Sequence, residues 1–288
     1  MKKLLVLGIL FLHFTHTFSQ EEVRIPFSVA ISAHIVKYNQ KIDEAYREND
    51  IERGQFLFDS LVNNHLKGTY VDNFTVNPLK GDPIPLRDFE KHMFLVSFAS
   101  WCMPGDGMIP AFNDLADRFH DQIDFVFLFW DSKENLKGKA KEYSENVQLV
   151  YVDERTNQDS YIINKLKHAL GFPMTYFIDE EKKLLDIQKV VTHHSTETFS
   201  NSYNIHFNSL SKGVSLLIAD LDAKGLLAGD TETPEELTNP LEEEEVDEDG
   251  RTEEERRIDE EYERYRQEKK KDSINNSKKK KRTRKRKL

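Results

Sequence analysis

The chain has 288 residues, 38% of them hydrophobic and 32% charged, with a formal net charge of −10 at pH 7. The apolar residues lie before about Gly229, and the remainder is so highly charged that it cannot bury a core. One cysteine excludes an internal disulfide, so the fold must be held by packing.

Met1-Lys2-Lys3 followed by Leu4 to Phe14 is a basic start and an apolar run too short to span a bilayer, with Ser19-Gln20 as a cleavage point. Residues 1–19 are therefore expected to be a signal peptide, and the protein to be exported to the periplasm or cell envelope. A buried strand or helix is the alternative. No cysteine ends the run, so a lipid anchor through that residue is excluded. No later stretch approaches the roughly 20 continuous apolar residues of a transmembrane helix.

Residues 20–68 form an N-terminal helical segment. Ile31, Ile35 and Val36, then Ile42, Ala45 and Tyr46, then Phe58, Leu61 and Val62 recur near helical spacing. Two helices broken near Asn49-Asp50 result, and their expected role is to cover a face of the next domain.

Residues 69–228 alternate strands and helices. Tyr70 to Leu86 reads as a hairpin around Gly81-Asp82-Pro83, with a helical turn at Arg87 to Lys91. Strands are expected at 93–99, 123–130, 147–152, 174–178 and 184–191. Helices are expected at 109–119, 132–144, 160–170 and 196–227. Strands apolar on both faces imply a sheet covered by helices on both sides, an α/β class.

Residues 229–288 are a low-complexity tail, acidic at Glu242 to Glu245 and basic from Lys278 to Lys287. Thr252 and Glu255 make a capping box that opens a solvated helix to about Lys271. Its one apolar stripe is Ile258, Tyr262 and Tyr265. The basic end suits an anionic envelope surface, or is simply neutralised by the acidic block. Export and the lack of interleaved aromatics argue against nucleic acid.

The chemistry concentrates at Phe98-Ala99-Ser100-Trp101-Cys102-Met103-Pro104-Gly105, where an apolar strand meets a helix. That position places the Cys102 sulfur at a helix N-terminus, where unpaired N–H groups and the dipole are expected to lower its pKa. Trp101 would shield one side, and Pro104 suits a first helical turn.

This stretch resembles the active site of exported thioredoxin-like thiol-disulfide oxidoreductases of the TlpA and ResA type. Their pattern is a strand, Trp-Cys-x-Pro-Cys, a helix and a proline five residues later; Trp101, Cys102, Pro104 and Pro110 match it. Upstream, Phe74-Thr75-Val76, Gly81, Ile84, Pro85-Leu86 and Phe89 look like the family's strand, turn and loop. Downstream, Gly171-Phe172-Pro173-Met174-Thr175 looks like its glycine-x-proline-x-threonine strand, whose proline is cis and faces the reactive cysteine. The resemblance covers roughly Tyr70 to Val191. It implies a thioredoxin-like fold with a central mixed sheet, Cys102 as the catalytic residue, and Trp101, Pro104, Phe172 and Pro173 as the surface for protein thiols or disulfides. No cofactor and no metal are implied.

The departures are specific. Gly105 stands where the family has its second cysteine, so nothing internal can resolve a mixed disulfide. Gly107 and Met108 stand where a glutamate is common, and Asp106 is a partial substitute that would oppose thiolate formation unless it caps the helix.

Three readings stay open: monothiol exchange with an external resolving thiol, a redox-inactive module binding through the groove around Trp101 and Pro173, and one-cysteine peroxide reduction. The last wants Thr or Ser at Ala99 and Pro at Leu95. His193-His194 is a loop pair with no third ligand near in sequence, and His92 and His168 hold ordinary positions. Copper delivery would want two cysteines and a histidine.

Because the tail cannot form a core, truncation at Gly229 is expected to leave the thermal midpoint of the remainder nearly unchanged. A large drop on differential scanning calorimetry would show that Ile258, Tyr262 and Tyr265 pack on the domain.

Overall fold

Two strands, β3 (His92–Phe98) and β4 (Ile123–Phe129), are buried at every residue. Side chains alternate across a strand, so such a pair must be covered on both faces. In the computed structural model, which describes residues 23–99, 101–102, 105–157, 159, 162–192 and 197–227, they lie at the centre of a seven-stranded mixed sheet. Its order is β2-β1-β5-β4-β3-β6-β7, with β1 at Thr75–Pro78, β2 at Ile84–Pro85, β5 at Val147–Tyr151, β6 at Met174–Ile178 and β7 at Leu184–Lys189. β3 is parallel to β4, and β4 to β5, whereas β6 and β7 return antiparallel.

The alternation divides the core in two. Met93 and Leu95 of β3, Val126 and Leu128 of β4, and Met174, Tyr176 and Ile178 of β6 face one side. That side is covered by α1 (Phe27–Arg47), α2 (Ile51–Leu61) and the π-type turn Val62–Leu66, through Phe27, Ile31, Phe58, Leu61 and Leu66. Phe94, Val96 and Phe98, with Phe125, Phe127, Phe129 and Phe177, face the other. There they meet α3 (Met108–Phe119), α4 (Lys133–Lys139) and α5 (Phe199–Ala223). The rings interlock edge to face: Phe94 lies 4.8 Å from Phe177 and 5.4 Å from Phe112, and Phe98 lies 5.3 Å from Phe127. Each buried ring contributes about 2–3 kcal/mol.

The α/β reading, the mixed sheet and the two helical covers agree with the sequence. Some elements differ from it. The expected helix over 132–144 ends at Lys139 and passes into a 3-10 turn, Ala140–Glu142. Asn113 of α3 explains this: its Nδ2 donates to the Glu142 carbonyl (2.9 Å) and its Oδ1 accepts from the Ser144 N–H (3.0 Å), turning Tyr143 inward onto Phe127. Within the helix expected over 160–170, Ile162 is helical and Ile163–Lys167 continue as a π-helix, with Ile162 and Leu166 supplying the buried contacts. Tyr70 and Val71 are not part of the first hairpin, since Tyr70 bridges Pro26 on one side and Lys183 on the other. The signal segment 1–19, His193-His194 and the tail, with its capping box and apolar stripe, lie outside the described residues. Among the described residues no helix is long and apolar enough to cross a membrane.

At the start of β3 a charge cluster closes the lower end of the sheet. The fully buried His92 ring places Nε2 2.8 Å from Asp220 and Nδ1 3.1 Å from Glu180. The Lys224 ammonium lies 2.8 Å from Asp179, 2.9 Å from Asp220 and 3.1 Å from Glu180. Burial pushes the Asp220 carboxyl up, but the His92 and Lys224 contacts more than offset that and hold it below the usual carboxylate range. His92, Glu180 and Asp220 bring ligand atoms within 4.8 Å of one another, the spacing of a metal site. The Lys224 ammonium already supplies the cation there. Beside the cluster, Lys182 adopts φ 70°, and its ammonium donates to the Phe89 and Glu180 carbonyls at 2.5 and 2.9 Å. These bonds offset the cost of a left-handed non-glycine residue, about 1–2 kcal/mol.

Gly213 brings α5 against the sheet. A Cβ there would lie 1.9 Å from the Phe177 ring, which is itself wedged against Phe94. Gly213→Ala is expected to destabilise the protein by about 2–3 kcal/mol, as overpacking of a filled core does. Chemical denaturation would measure the loss, and an unchanged midpoint would mean that α5 can lift without cost.

Candidate thiol site

β3 and β4 end level with each other, Phe98 opposite Phe129, and the chain turns sharply after β3. The Cys102 N–H donates to the Ala99 carbonyl at 2.9 Å. Trp130, just past β4, steadies the turn's base: its N–H donates to the Phe98 carbonyl (2.9 Å) and its indole N–H to Ser97 Oγ (2.8 Å).

Cys102 is partly buried against the phenylalanine-rich cluster. Trp101 points outward, 70% exposed, with its ring 5.5 Å from Phe172 at 58°. The Phe172–Pro173 peptide is cis. Lys167 stands behind Phe172, its ammonium 5.8 Å from that ring and 6.0 Å from Trp130, and ion-paired with Glu154. Of the predicted site residues, the structure sets the Trp101 ring, next to Cys102 in the chain, against Phe172, which precedes the cis Pro173. Pro104 lies outside the described residues.

Two expectations need correction. Cys102 is not at the helix N-terminus: α3 begins at Met108, with Gly107 as its N-cap. The Gly107 N–H is engaged by Ser202 Oγ of α5 at 2.9 Å, so a donor of that helix end is directed to α5. Nor is the thiol acidified. Burial pushes its pKa up, and a hydrogen bond with the Ala99 backbone and the positive charge of Lys139 recover only part of the shift. Desolvation disfavours the thiolate, and the dipole's effect fades within a turn of the helix end.

Gly107 is required where it stands. A Cβ there would lie 2.1 Å from the Tyr203 backbone nitrogen, so α5 crosses directly over the α3 N-terminus. Tyr203 then donates to Asp114 at 2.5 Å. Burial pushes the Asp114 carboxyl up, and the tyrosine hydrogen bond opposes it. Sequence reasoning missed the Gly107–Ser202 contact, because it depends on how distant helices dock. The His92 cluster had a weak signal in Asp179-Glu180 and in the Asp220 to Lys224 spacing.

The strand order, the helices on both faces and the cis proline beside the turn make residues around 70–190 a thioredoxin-like domain. Residues 68–187 match the AhpC/TSA family. The chain is 24% identical over 125 residues to the thioredoxin-like protein YneN of Bacillus subtilis, covering 42% of this chain and 70% of that one. It is 26% identical over 121 residues to the thiol-disulfide oxidoreductase ResA of Bacillus thuringiensis, covering 41% of this chain and 66% of the relative. The crystal structure of the thioredoxin domain of a thiol-disulfide oxidoreductase from Bacteroides vulgatus superposes with a TM-score of 0.39 at 18% identity, covering 51% of this chain and 96% of that one.

The upward shift of Cys102 sets its pH dependence. A thiol titrating above the ordinary range of about 8.5 carries less thiolate at neutral pH. Alkylation by iodoacetamide is therefore expected to be slower at pH 7 than for an exposed model thiol, and to keep rising beyond the pH at which the model thiol reaches its plateau. A faster reaction than the model at pH 7 would contradict the buried environment.

Proposed function

We propose that the protein is a thiol-disulfide oxidoreductase of the cell envelope that works with one thiol. The Cys102 thiolate attacks a disulfide in a partner protein, one partner sulfur joins Cys102, and the other leaves as a thiolate. An external thiol then attacks the mixed disulfide and frees Cys102. The observation that carries this reading is the placement of the only cysteine on the turn after β3, beside the exposed Trp101. The relatives named as thiol-disulfide oxidoreductases support it. Trp101, Pro104, Phe172 and Pro173 are the groups to receive the partner, and the Met1 to Ser19 segment supports export.

The raised thiol pKa sets the character of the exchange. A weakly acidic thiol forms little thiolate, and it is also a poor leaving group once bonded. With Gly105 at the position where a second cysteine would resolve the adduct, the mixed disulfide should be long-lived. A second reading is favoured by one feature, the outward Trp101 ring set against Phe172, which is a contact surface that needs no thiol. In that reading the domain binds partners through the groove alone. Lys278 to Lys287 would add attraction to anionic envelope lipid, weakening steeply with salt.

Acid-quenched extracts of cells making the full chain, separated without reductant, test the choice. Wild type is expected to carry a partner on Cys102 by mass spectrometry, and Cys102→Ser to lose it. Equal partner recovery with Cys102→Ser would establish the groove as the function and sink the exchange reading. Gly105→Cys is expected to form an internal disulfide and to acquire disulfide reductase activity with dithiothreitol as electron source. Failure to form that bridge would remove Gly105 from the resolving position.

A further inference from the structure

We propose that Lys167 is a positioning residue for the partner surface: its ammonium holds Phe172, and through Phe172 the Trp101 ring that neighbours Cys102 in the chain. This rests on the reading above that Trp101 and Phe172 receive the partner, with or without exchange at Cys102.

The topology brings the segments involved to one end of the sheet. β3, β4 and β5 run parallel and β6 returns antiparallel. The Cys102 turn after β3, Trp130 after β4, Glu154 after β5 and Phe172 before β6 therefore share that end. β3 and β6 are direct neighbours, with Ser97 opposite Met174, so the chain enters β6 beside the end of β3, from which the thiol turn departs.

Lys167 is where these segments meet. It ends the π-helix Ile163–Lys167, whose Leu166 is buried in the core and whose Leu166 carbonyl accepts from the Tyr176 hydroxyl at 3.3 Å. From that anchored backbone the Lys167 side chain, 9% exposed, pairs with Glu154. Its ammonium lies 6.0 Å from the centre of the Trp130 ring and 5.8 Å from that of Phe172. The Trp101 ring rests 5.5 Å from Phe172. Trp130 in turn is fixed to β3 by its bonds to Phe98 and Ser97. One ammonium thus links the base of the thiol turn, the loop after β5 and the loop that carries Phe172.

Burying an ammonium is costly unless it is paired, and an apolar side chain would fill the space between two rings without that cost. The charge adds a tie between loops. Cation–π attraction draws both rings toward one point, and Glu154, 37% exposed, holds the ammonium from the solvent side, with His168 Nε2 3.8 Å from the same carboxylate. Removing the charge leaves the packing of Ile162 and Leu166 in place and frees Phe172, which is only partly buried. Because Lys167 is itself nine-tenths buried, it acts on a partner through Phe172 and not by touching it.

The test compares a large and a small disulfide on the full chain, insulin and glutathione disulfide, each scored by mass spectrometry as the mixed disulfide on Cys102. In both reactions the Cys102 thiolate bonds one sulfur of the probe and the other sulfur leaves as a thiolate. Lys167→Met is expected to slow the insulin reaction about fivefold to tenfold and the glutathione reaction by no more than about twofold, because only the larger probe covers Trp101 and Phe172. Lys167→Arg, which keeps a cation over the rings, is expected to restore about half of the insulin rate or more. Glu154→Gln should slow it in the same direction, and serves alone if circular dichroism shows Lys167→Met unfolded. An equal fall with both probes overturns the proposal, as does an unchanged insulin rate in the folded variants. Trp101 gives a second readout. The chain has two tryptophans, so time-resolved fluorescence anisotropy, with Trp101→Phe in each background as the Trp130 reference, reports the motion of the Trp101 ring. Lys167→Met is expected to enlarge its fast component, and an unchanged decay also overturns the proposal. If wild type forms no mixed disulfide with either probe while Lys167→Met still frees the Trp101 ring, the exchange reading fails and the Lys167 assignment stands.

Discussion

The burial of β3 and β4 on both faces is the constraint that dictates the other layers. Fourteen ladder residues, seven in each strand, have no solvent-facing side, so the chain must supply an apolar cover above and below. The phenylalanines at 94, 98, 125, 127 and 129 call for α3 and α5 on one face, and the aliphatic residues between them call for α1 and α2 on the other. Inside such a sandwich backbone groups are paired in the ladder, and polar chemistry is confined to strand ends. The two ends are used differently. One carries the His92, Glu180, Asp220 and Lys224 cluster, which ties the C-terminal end of α5 to the sheet. The other carries the thiol.

At the thiol end, the docking of α5 shapes the local electrostatics. Its Ser202 takes the Gly107 N–H, and its backbone passes so close to Gly107 that no side chain fits. The α3 terminus is thereby turned toward another helix, and Cys102 sits on a separate turn packed against aromatic rings. Burial then governs the thiol, and the compensation available is local: a backbone contact at Ala99 and one lysine charge. Reactivity at this position is set by tertiary placement, and the same eight residues on a helix end would behave differently.

Much of this was legible in the amino-acid order. The strands at 93–99, 123–130 and 174–178 were marked by unbroken apolar runs, and the break between α1 and α2 by Asn49-Asp50. Asn49 adopts φ 54°, a conformation that asparagine tolerates better than most residues. The short range of helical periodicity could not reveal where α4 stops, because Asn113, about 30 positions away, captures the chain after it. The candidate site could be named from the sequence as a set of residues, Trp101, Cys102, Phe172 and Pro173. Its electrostatics could not: the distance from a cysteine to a helix end is a property of how α3 and α5 dock, and Ser202 lies 95 residues from the group it binds. His92 looked ordinary because both carboxylates that face it come from other elements.

The lone cysteine has a kinetic consequence. In a chain with two nearby thiols the second acts at an effective concentration in the millimolar range or above, whatever the dilution outside. Here every sulfur–sulfur bond joins two molecules, so its formation and its release are both governed by mass action. The lifetime of any adduct on Cys102 depends on the concentration of small or protein thiols around it. The occupancy of that one sulfur thus registers the composition of its surroundings, a property of the medium as much as of the protein.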